Sequence, residues 1–291
     1  MSPQYLLAAS LPEACAALSQ AGPTARVIAG GTDLMVELRH ERLAGNEPSG
    51  LLVDVAGLPE LQGAHLEVGE LWLGAGLTFS QCQADALIRE RLPLLAEAAR
   101  RVGSLQIRNV ATLGGNLGNK SPAADGVTVL VALGALARLA SAKGERQALV
   151  EDLAARGLLP GEIIVGFGLP APATPGASAF AKVIRRQAVG IARFNIAAQL
   201  DLDRDGVVTA AGIGVGAVFP SPRRVAEAEA LLLGRRPTPA LWEQAAQAIS
   251  DDMLRACGAR PSMVYKEPAL ARVAARALEL AWRRGQARER P

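Results

Sequence analysis

Two glycine pairs in the first half of the chain constrain its fold more than any other feature. They lie in Val27-Ile28-Ala29-Gly30-Gly31-Thr32-Asp33-Leu34 and in Ala111-Thr112-Leu113-Gly114-Gly115-Asn116-Leu117-Gly118-Asn119. Each follows apolar or β-branched residues and joins adjacent glycines to a small hydroxyl or amide side chain. Without Cβ atoms, adjacent glycines let several backbone N–H groups turn towards one anion. One such segment reads equally as an ordinary strand-to-helix turn. Two point to an elongated ligand that carries phosphates, such as a dinucleotide. The P-loop spacing is absent, and so is the Rossmann glycine fingerprint after the first strand.

The surrounding pattern is mixed. Ala25 to Ile28 and Leu51 to Val55 read as strands, and Met35 to Arg39 as a short helical or extended piece. Leu66 to Val68 and Leu71 to Leu73 flank a hairpin turn at Gly69-Glu70. Ser10-Leu11-Pro12-Glu13 is a capping box opening a helix through Leu18. Helices are expected over Ser80 to Ile88, Leu92 to Val102 and Ala124 to Leu133, with strands at Ala137 to Ala140 and Ile163 to Phe167. The proline-rich run from Leu169 to Gly176 breaks helix and strand alike and marks a domain boundary. Beyond it come three strands (Ala179 to Ile184, Ile191 to Asp201, Val207 to Val218) and helices over Arg223 to Leu233, Pro239 to Cys257 and Glu267 to Arg284. Hairpins mixed with helices give an α+β fold rather than a regularly alternating parallel sheet. The expected division is 1–170, 177–285 and a basic tail over 286–291.

Composition narrows the function. The 291 residues carry a net charge of +3, and only 3% are aromatic. The late arginines Arg283, Arg284, Arg288 and Arg290 read as a solvated helical end, and no aromatic residues interleave with basic ones as nucleic-acid binding requires. Cys15, Cys82 and Cys257 form no CxxC pair, so no zinc or iron–sulfur site assembles locally, and free thiols fit a reducing, cytoplasmic setting. No stretch is long and apolar enough to span a membrane. His40 and His65 lack a nucleophile or acid partner, and Asp251-Asp252 reads as helix surface. Asp201 to Gly206 imitates half of a calcium loop, but Gly212 stands where the closing Glu belongs, which makes it a polar hairpin turn. With no general acid or base in evidence, the reactive group is expected to be a bound cofactor. Asp125, after Ser121-Pro122-Ala123-Ala124, either caps the next helix or accepts hydrogen bonds from a ribose.

These motifs resemble the FAD-binding medium subunit of molybdenum hydroxylases, the xanthine and carbon monoxide dehydrogenase family. The resemblance rests on Ala29 to Leu34, Arg108 to Asn116, Ser121 to Asp125, Pro93 to Ala99, Lys182 with Arg185-Arg186, and Tyr265-Lys266, and it spans essentially the whole chain. It implies a two-part FAD-binding domain of the PCMH or vanillyl-alcohol-oxidase type, then a small antiparallel sheet with packed helices. Ala29, Gly30, Gly31, Thr32, Asp33 and Leu34, with Thr112, Gly114, Gly115 and Asn116, would surround the FAD pyrophosphate and ribityl chain. Ser121 and Asp125 would meet the adenosine half, and Lys182 would approach the flavin.

The same resemblance implies a small [2Fe–2S] subunit and a large molybdopterin subunit as partners, in a heterotrimer or a dimer of heterotrimers. Electrons would pass through FAD to NAD or another acceptor. Lys120 departs from the family pattern, where a small residue is usual. A self-sufficient flavin oxidoreductase of related fold, drawing on Lys182, Arg185, Arg186 and Arg193, is the alternative. An assembly scaffold that binds no flavin is the third reading.

Overall fold

The structure, a computed structural model, describes residues 4–46, 49–67, 69–185, 190–258, 261 and 263–288. Val68, Arg186 and Arg290, used above, lie outside these residues. Three sheets organise the chain. The first is parallel, in the order β1-β3-β2, and contains β1 (Gln4–Leu7), β2 (Arg26–Ile28) and β3 (Leu51–Asp54). Its crossovers are α1 (Leu11–Ala21) and α2 (Leu34–Leu43). The expected capping box forms only in part: the Ser10 hydroxyl accepts from the Glu13 N–H at 3.3 Å, but the Glu13 carboxylate accepts from the Ala9 N–H at 2.6 Å rather than from the Ser10 N–H.

The second sheet is antiparallel, in the order β4-β5-β8-β6-β7. It comprises β4 (Ala64–Glu67), β5 (Glu70–Gly74), β6 (Leu136–Ser141), β7 (Gly144–Leu149) and β8 (Ile163–Pro170). The expected hairpin turns at Gly69, whose φ is 84°. Between β5 and β6 run α3 (Phe79–Ala84), α4 (Ala86–Arg91), α5 (Pro93–Ala99), α6 (Leu105–Val110), α7 (Leu113–Gly118) and α8 (Asp125–Ala132). α9 (Val150–Arg156) follows β7. The helix expected over Ser80 to Ile88 is two, because Asp85 leaves helical geometry and its carboxylate caps α4 by accepting from the Ile88 N–H at 2.9 Å.

The third sheet is antiparallel, in the order β12-β11-β10-β9, with β9 (Ser178–Ile184), β10 (Ala192–Leu202), β11 (Val208–Gly216) and β12 (Arg223–Arg224). Against it pack α10 (Ala226–Leu232) and α12 (Met263–Arg288), and α11 (Pro239–Cys257) packs on those two helices. The helix expected from Arg223 starts later because Arg223 and Arg224 pair with β11. At the β10–β11 turn, Asp203 Oδ1 accepts from the Asp205 and Val207 N–H groups, both at 2.9 Å, so the carboxylate shapes a hairpin. No cluster of metal-ligating side chains occurs among the described residues.

α8 holds the sheets together. Apolar except for Asp125 and Thr128, it is buried along its whole length. It lies on β11 at backbone distance, because Gly212, Gly214 and Gly216 alternate along that strand and share a face. A Cβ on Gly212 would stand 2.0 Å from the Ala132 carbonyl oxygen, and one on Gly214 would stand 2.3 Å from the Thr128 carbonyl oxygen. The hydrophobic cores of the two halves meet here: Phe180 and Ala197, from the third sheet, belong to the same cluster as the α8 side chains.

One sequence reading gains detail and another changes. The proline-rich segment is held to β10 by hydrogen bonds. The Leu202 N–H donates to the Thr174 hydroxyl at 3.2 Å, and Gln199 Nε2 donates to the Thr174 carbonyl at 3.2 Å. Arg284 is not part of a solvated helix end. It donates to Glu97 on α5 at 2.7 Å and to the Ser178 carbonyl at 2.9 Å, tying the last helix to the first half of the chain. No helix among the described residues is long and apolar enough to cross a membrane.

Candidate functional site

A cleft of about 680 Å³ opens where the parallel sheet, the five-stranded sheet and the edge of the third sheet converge. All the residues singled out from the sequence line it: Ala29, Gly30, Gly31, Thr32, Asp33 and Leu34; Thr112, Gly114, Gly115 and Asn116; and Ser121, Asp125 and Lys182.

The two glycine motifs touch. A Cβ on Gly30 would stand 2.0 Å from the carbonyl oxygen of Val110, at the end of α6, so this glycine is required by close approach rather than by torsion. Gly31 is required by torsion, with φ at 66°. The chain then enters α2, whose cap residue Asp33 gives no side-chain hydrogen bond to the helix. Among the described residues, the N–H groups of Gly30 through Leu34 have no protein acceptor. A run of free donors at a helix start is an anion-binding arrangement.

The second motif differs from the expected loop. Gly114 and Gly115 are in the first turn of α7, capped by Thr112, whose hydroxyl accepts from the Gly115 N–H at 3.0 Å. Gly114 is small because the β5–α3 loop presses on it; a Cβ would stand 2.8 Å from Ala75 Cβ. Asn116 turns inward, accepting from the Val127 N–H at 3.2 Å and so tying α7 to α8. Ser121 accepts from the Ala123 N–H at 3.3 Å and shapes the entry to α8.

Asp125 does not act as the helix cap that one sequence reading expected. It opens α8 without capping it, and both carboxylate oxygens are engaged. Lys182 Nζ donates to Oδ2 at 2.5 Å, and Asn195 Nδ2 donates to Oδ1 at 2.7 Å. Lys182 Nζ also reaches the Arg101 carbonyl at 3.1 Å. Burial pushes the Asp125 carboxyl above the ordinary carboxylate range, against the opposing pull of Lys182, Asn195 and Arg101. The pair lies on the floor of the cleft at the join between the halves.

The sequence missed other lining residues. Arg26 Nη1 pairs with Glu37 at 3.5 Å and Glu41 at 3.1 Å beside the first motif. Leu158 to Ile164 form another wall, where only the Pro160-Gly161 turn was a signal. Glu162 in that wall accepts from Arg146 Nε at 2.5 Å, from Arg146 Nη2 at 2.8 Å and from the Leu159 N–H at 2.7 Å. Burial raises its carboxyl, and these donors outweigh burial, leaving it below the ordinary range. Lys120, at φ 52°, sends its side chain away to the Arg156 carbonyl at 3.4 Å.

Fold and cleft together define a class: a two-part domain that receives an elongated, phosphate-bearing ligand between its sheets, closed on one side by a smaller sheet-and-helix domain. Residues 1–172 match the FAD binding domain in molybdopterin dehydrogenase, and residues 179–281 match the CO dehydrogenase flavoprotein C-terminal domain. The chain belongs to this family and is an FAD-binding dehydrogenase subunit.

Among its relatives, the nicotinate dehydrogenase FAD-subunit of Eubacterium barkeri is 32% identical over 248 residues, covering 83% of this chain and 82% of that protein. The xanthine dehydrogenase FAD-binding subunit of Escherichia coli O157:H7 is 33% identical over 264 residues, covering 89% of this chain and 87% of that protein. Among solved structures, reconstituted CO dehydrogenase from Oligotropha carboxidovorans contains a chain that superposes with a TM-score of 0.88 at 26% identity, covering 98% of this chain and 99% of that one.

Proposed function

We propose that this chain is the electron-transfer flavin subunit of a heteromeric molybdenum hydroxylase. It takes electrons from the [2Fe–2S] clusters of a small partner subunit, fed by a large molybdopterin subunit, and passes them through FAD to NAD or another acceptor in the cytoplasm. The observation that supports this most is the row of N–H groups from Gly30 to Leu34, without protein acceptors, on the wall of the cleft. Bound FAD supplies the redox chemistry, storing and releasing electrons that no side chain of this protein can hold.

The residues fit that group. Gly30 to Leu34 offer donors to a pyrophosphate, with Gly31 held in a left-handed turn to aim them. Thr112 to Asn116 form the adjoining wall, where Gly115 leaves room for the ligand's chain. Lys182 would approach the flavin from the smaller domain, and Asp125, at 2.5 Å from it, belongs to the same end. On this reading residues 1–170 form the FAD-binding domain, and 177–285 form the C-terminal flavoprotein domain that closes the cleft.

The test begins with the purified chain, expected to be yellow and to release FAD intact on denaturation, with roughly one FAD per chain. Copurification from the native host is expected to bring an iron–sulfur chain and a molybdopterin chain. Folded protein that neither carries nor takes up FAD would overturn the cofactor assignment of the cleft. Turnover of a small substrate by the isolated chain would favour a self-sufficient oxidoreductase instead.

A further inference from the structure

Asn195 is a polar residue on an otherwise apolar stretch of β10, between Phe194 and Ile196, and it is wholly buried. It does not line the cleft. Its amide joins Thr128 on α8 to the charged pair at the cleft floor. Thr128 Oγ1 lies 3.0 Å from Asn195 Oδ1 and 3.0 Å from the Ala124 carbonyl, and Asn195 Nδ2 donates to Asp125 at 2.7 Å. Thr128 is also wholly buried. The line is built into the packing: a Cβ on Gly216 would stand 2.4 Å from Asn195 Oδ1 and 2.5 Å from Thr128 Oγ1.

The chemistry is directional. An ionised Asp125 carboxylate only accepts, so the amide turns its NH₂ towards Asp125 and its oxygen towards Thr128, whose one hydroxyl proton is shared between that oxygen and the Ala124 carbonyl. That NH₂ favours the ionised carboxylate, which in turn compensates the Lys182 ammonium. Without it, burial favours the neutral acid and leaves the ammonium uncompensated at the cleft floor.

We propose that Asn195 and Thr128 are positioning residues that fix the charge and placement of the Lys182–Asp125 pair and thereby tune the midpoint potential of the bound flavin. The inference rests on the reading that places Lys182 beside the flavin ring. A less compensated positive charge there favours the reduced, more negative form of the ring and raises its potential.

The test measures FAD content and flavin midpoint potential in the holoprotein for Asn195→Leu, Thr128→Val, Thr128→Ser and Lys182→Met. Asn195→Leu and Thr128→Val are expected to keep FAD and shift the potential upward. Thr128→Ser, which restores the hydroxyl, returns it towards the parent value, and Lys182→Met moves it downward. If Asn195→Leu fails to fold, Thr128→Val decides. Unshifted potentials in the folded, FAD-bound Asn195 and Thr128 variants would overturn the proposal, and so would loss of FAD from them. A Lys182→Met protein that binds FAD with unchanged potential would overturn the placement of Lys182 itself.

Discussion

Replacing Gly212 by alanine tests how the two halves of the molecule are held together. The added Cβ would sit 2.0 Å from the Ala132 carbonyl oxygen, whereas a carbon and a carbonyl oxygen in contact need about 3.3 Å. Either α8 or β11 must therefore retreat by roughly 1.3 Å. Neither moves freely: α8 is buried throughout, and its first residue is held by Lys182 and Asn195. Overpacking a tight core costs about 1–3 kcal/mol, and the upper end applies where both partners are backbone. At about 2–4 °C per kcal/mol, the thermal midpoint should fall by several degrees. Gly57→Ala is the control, because nothing lies within 4 Å of its Cβ position and its φ is not in the left-handed region. The assay is thermal unfolding of holoprotein followed by near-UV ellipticity, with released FAD fluorescence as a second probe. A Gly212→Ala midpoint within a degree of Gly57→Ala would refute the claim that α8 and β11 pack backbone to backbone.

Gly31→Ala should cost about 1 kcal/mol of stability from its φ of 66° and, separately, weaken FAD binding; denaturation of the apoprotein and FAD titration distinguish the two effects. Glu162 has a folded pKa below its unfolded one, so its contribution to stability is present above the ordinary glutamate range and is lost as pH falls through the lower folded value. Glu162→Gln should flatten the acid side of the stability–pH curve, and denaturant midpoints taken down the acid limb will show it. Burial, aided by Asp85, pushes the Cys82 thiol up to about 12, so a thiol reagent at mildly alkaline pH should leave it unlabelled in folded protein and modify it only after unfolding, as peptide mapping would show.

What was legible in the sequence was local. The first glycine pair, the β-rich runs, the Ser10 helix cap and a polar hairpin turn each express themselves within a few residues, and these formed where expected. The long strands and the helix from Pro239 to Cys257 were legible for the same reason. β1 (Gln4–Leu7) and β7 (Gly144–Leu149) were missed, the latter because it carries a polar pattern. The second glycine pair was taken as a loop although it opens a helix, because Gly114 is small for packing against Ala75 and not for torsion. Alternating glycines at 212, 214 and 216 were a signal of close backbone approach that a strand assignment alone leaves unused.

The sequence by itself therefore determined the α+β class and the residues that gather around one cleft, because backbone freedom and hydrophobic period are properties of short segments, and its motifs carried the resemblance to the family. Only the tertiary structure decided what those residues do with their charges. Asp125 and Lys182, separated by 57 positions, pair with each other. Arg284, though half-exposed, reaches Glu97 across 187 positions. Such contacts depend on which surfaces are brought together when the apolar core excludes water, and a buried charge takes whatever partner that packing leaves beside it.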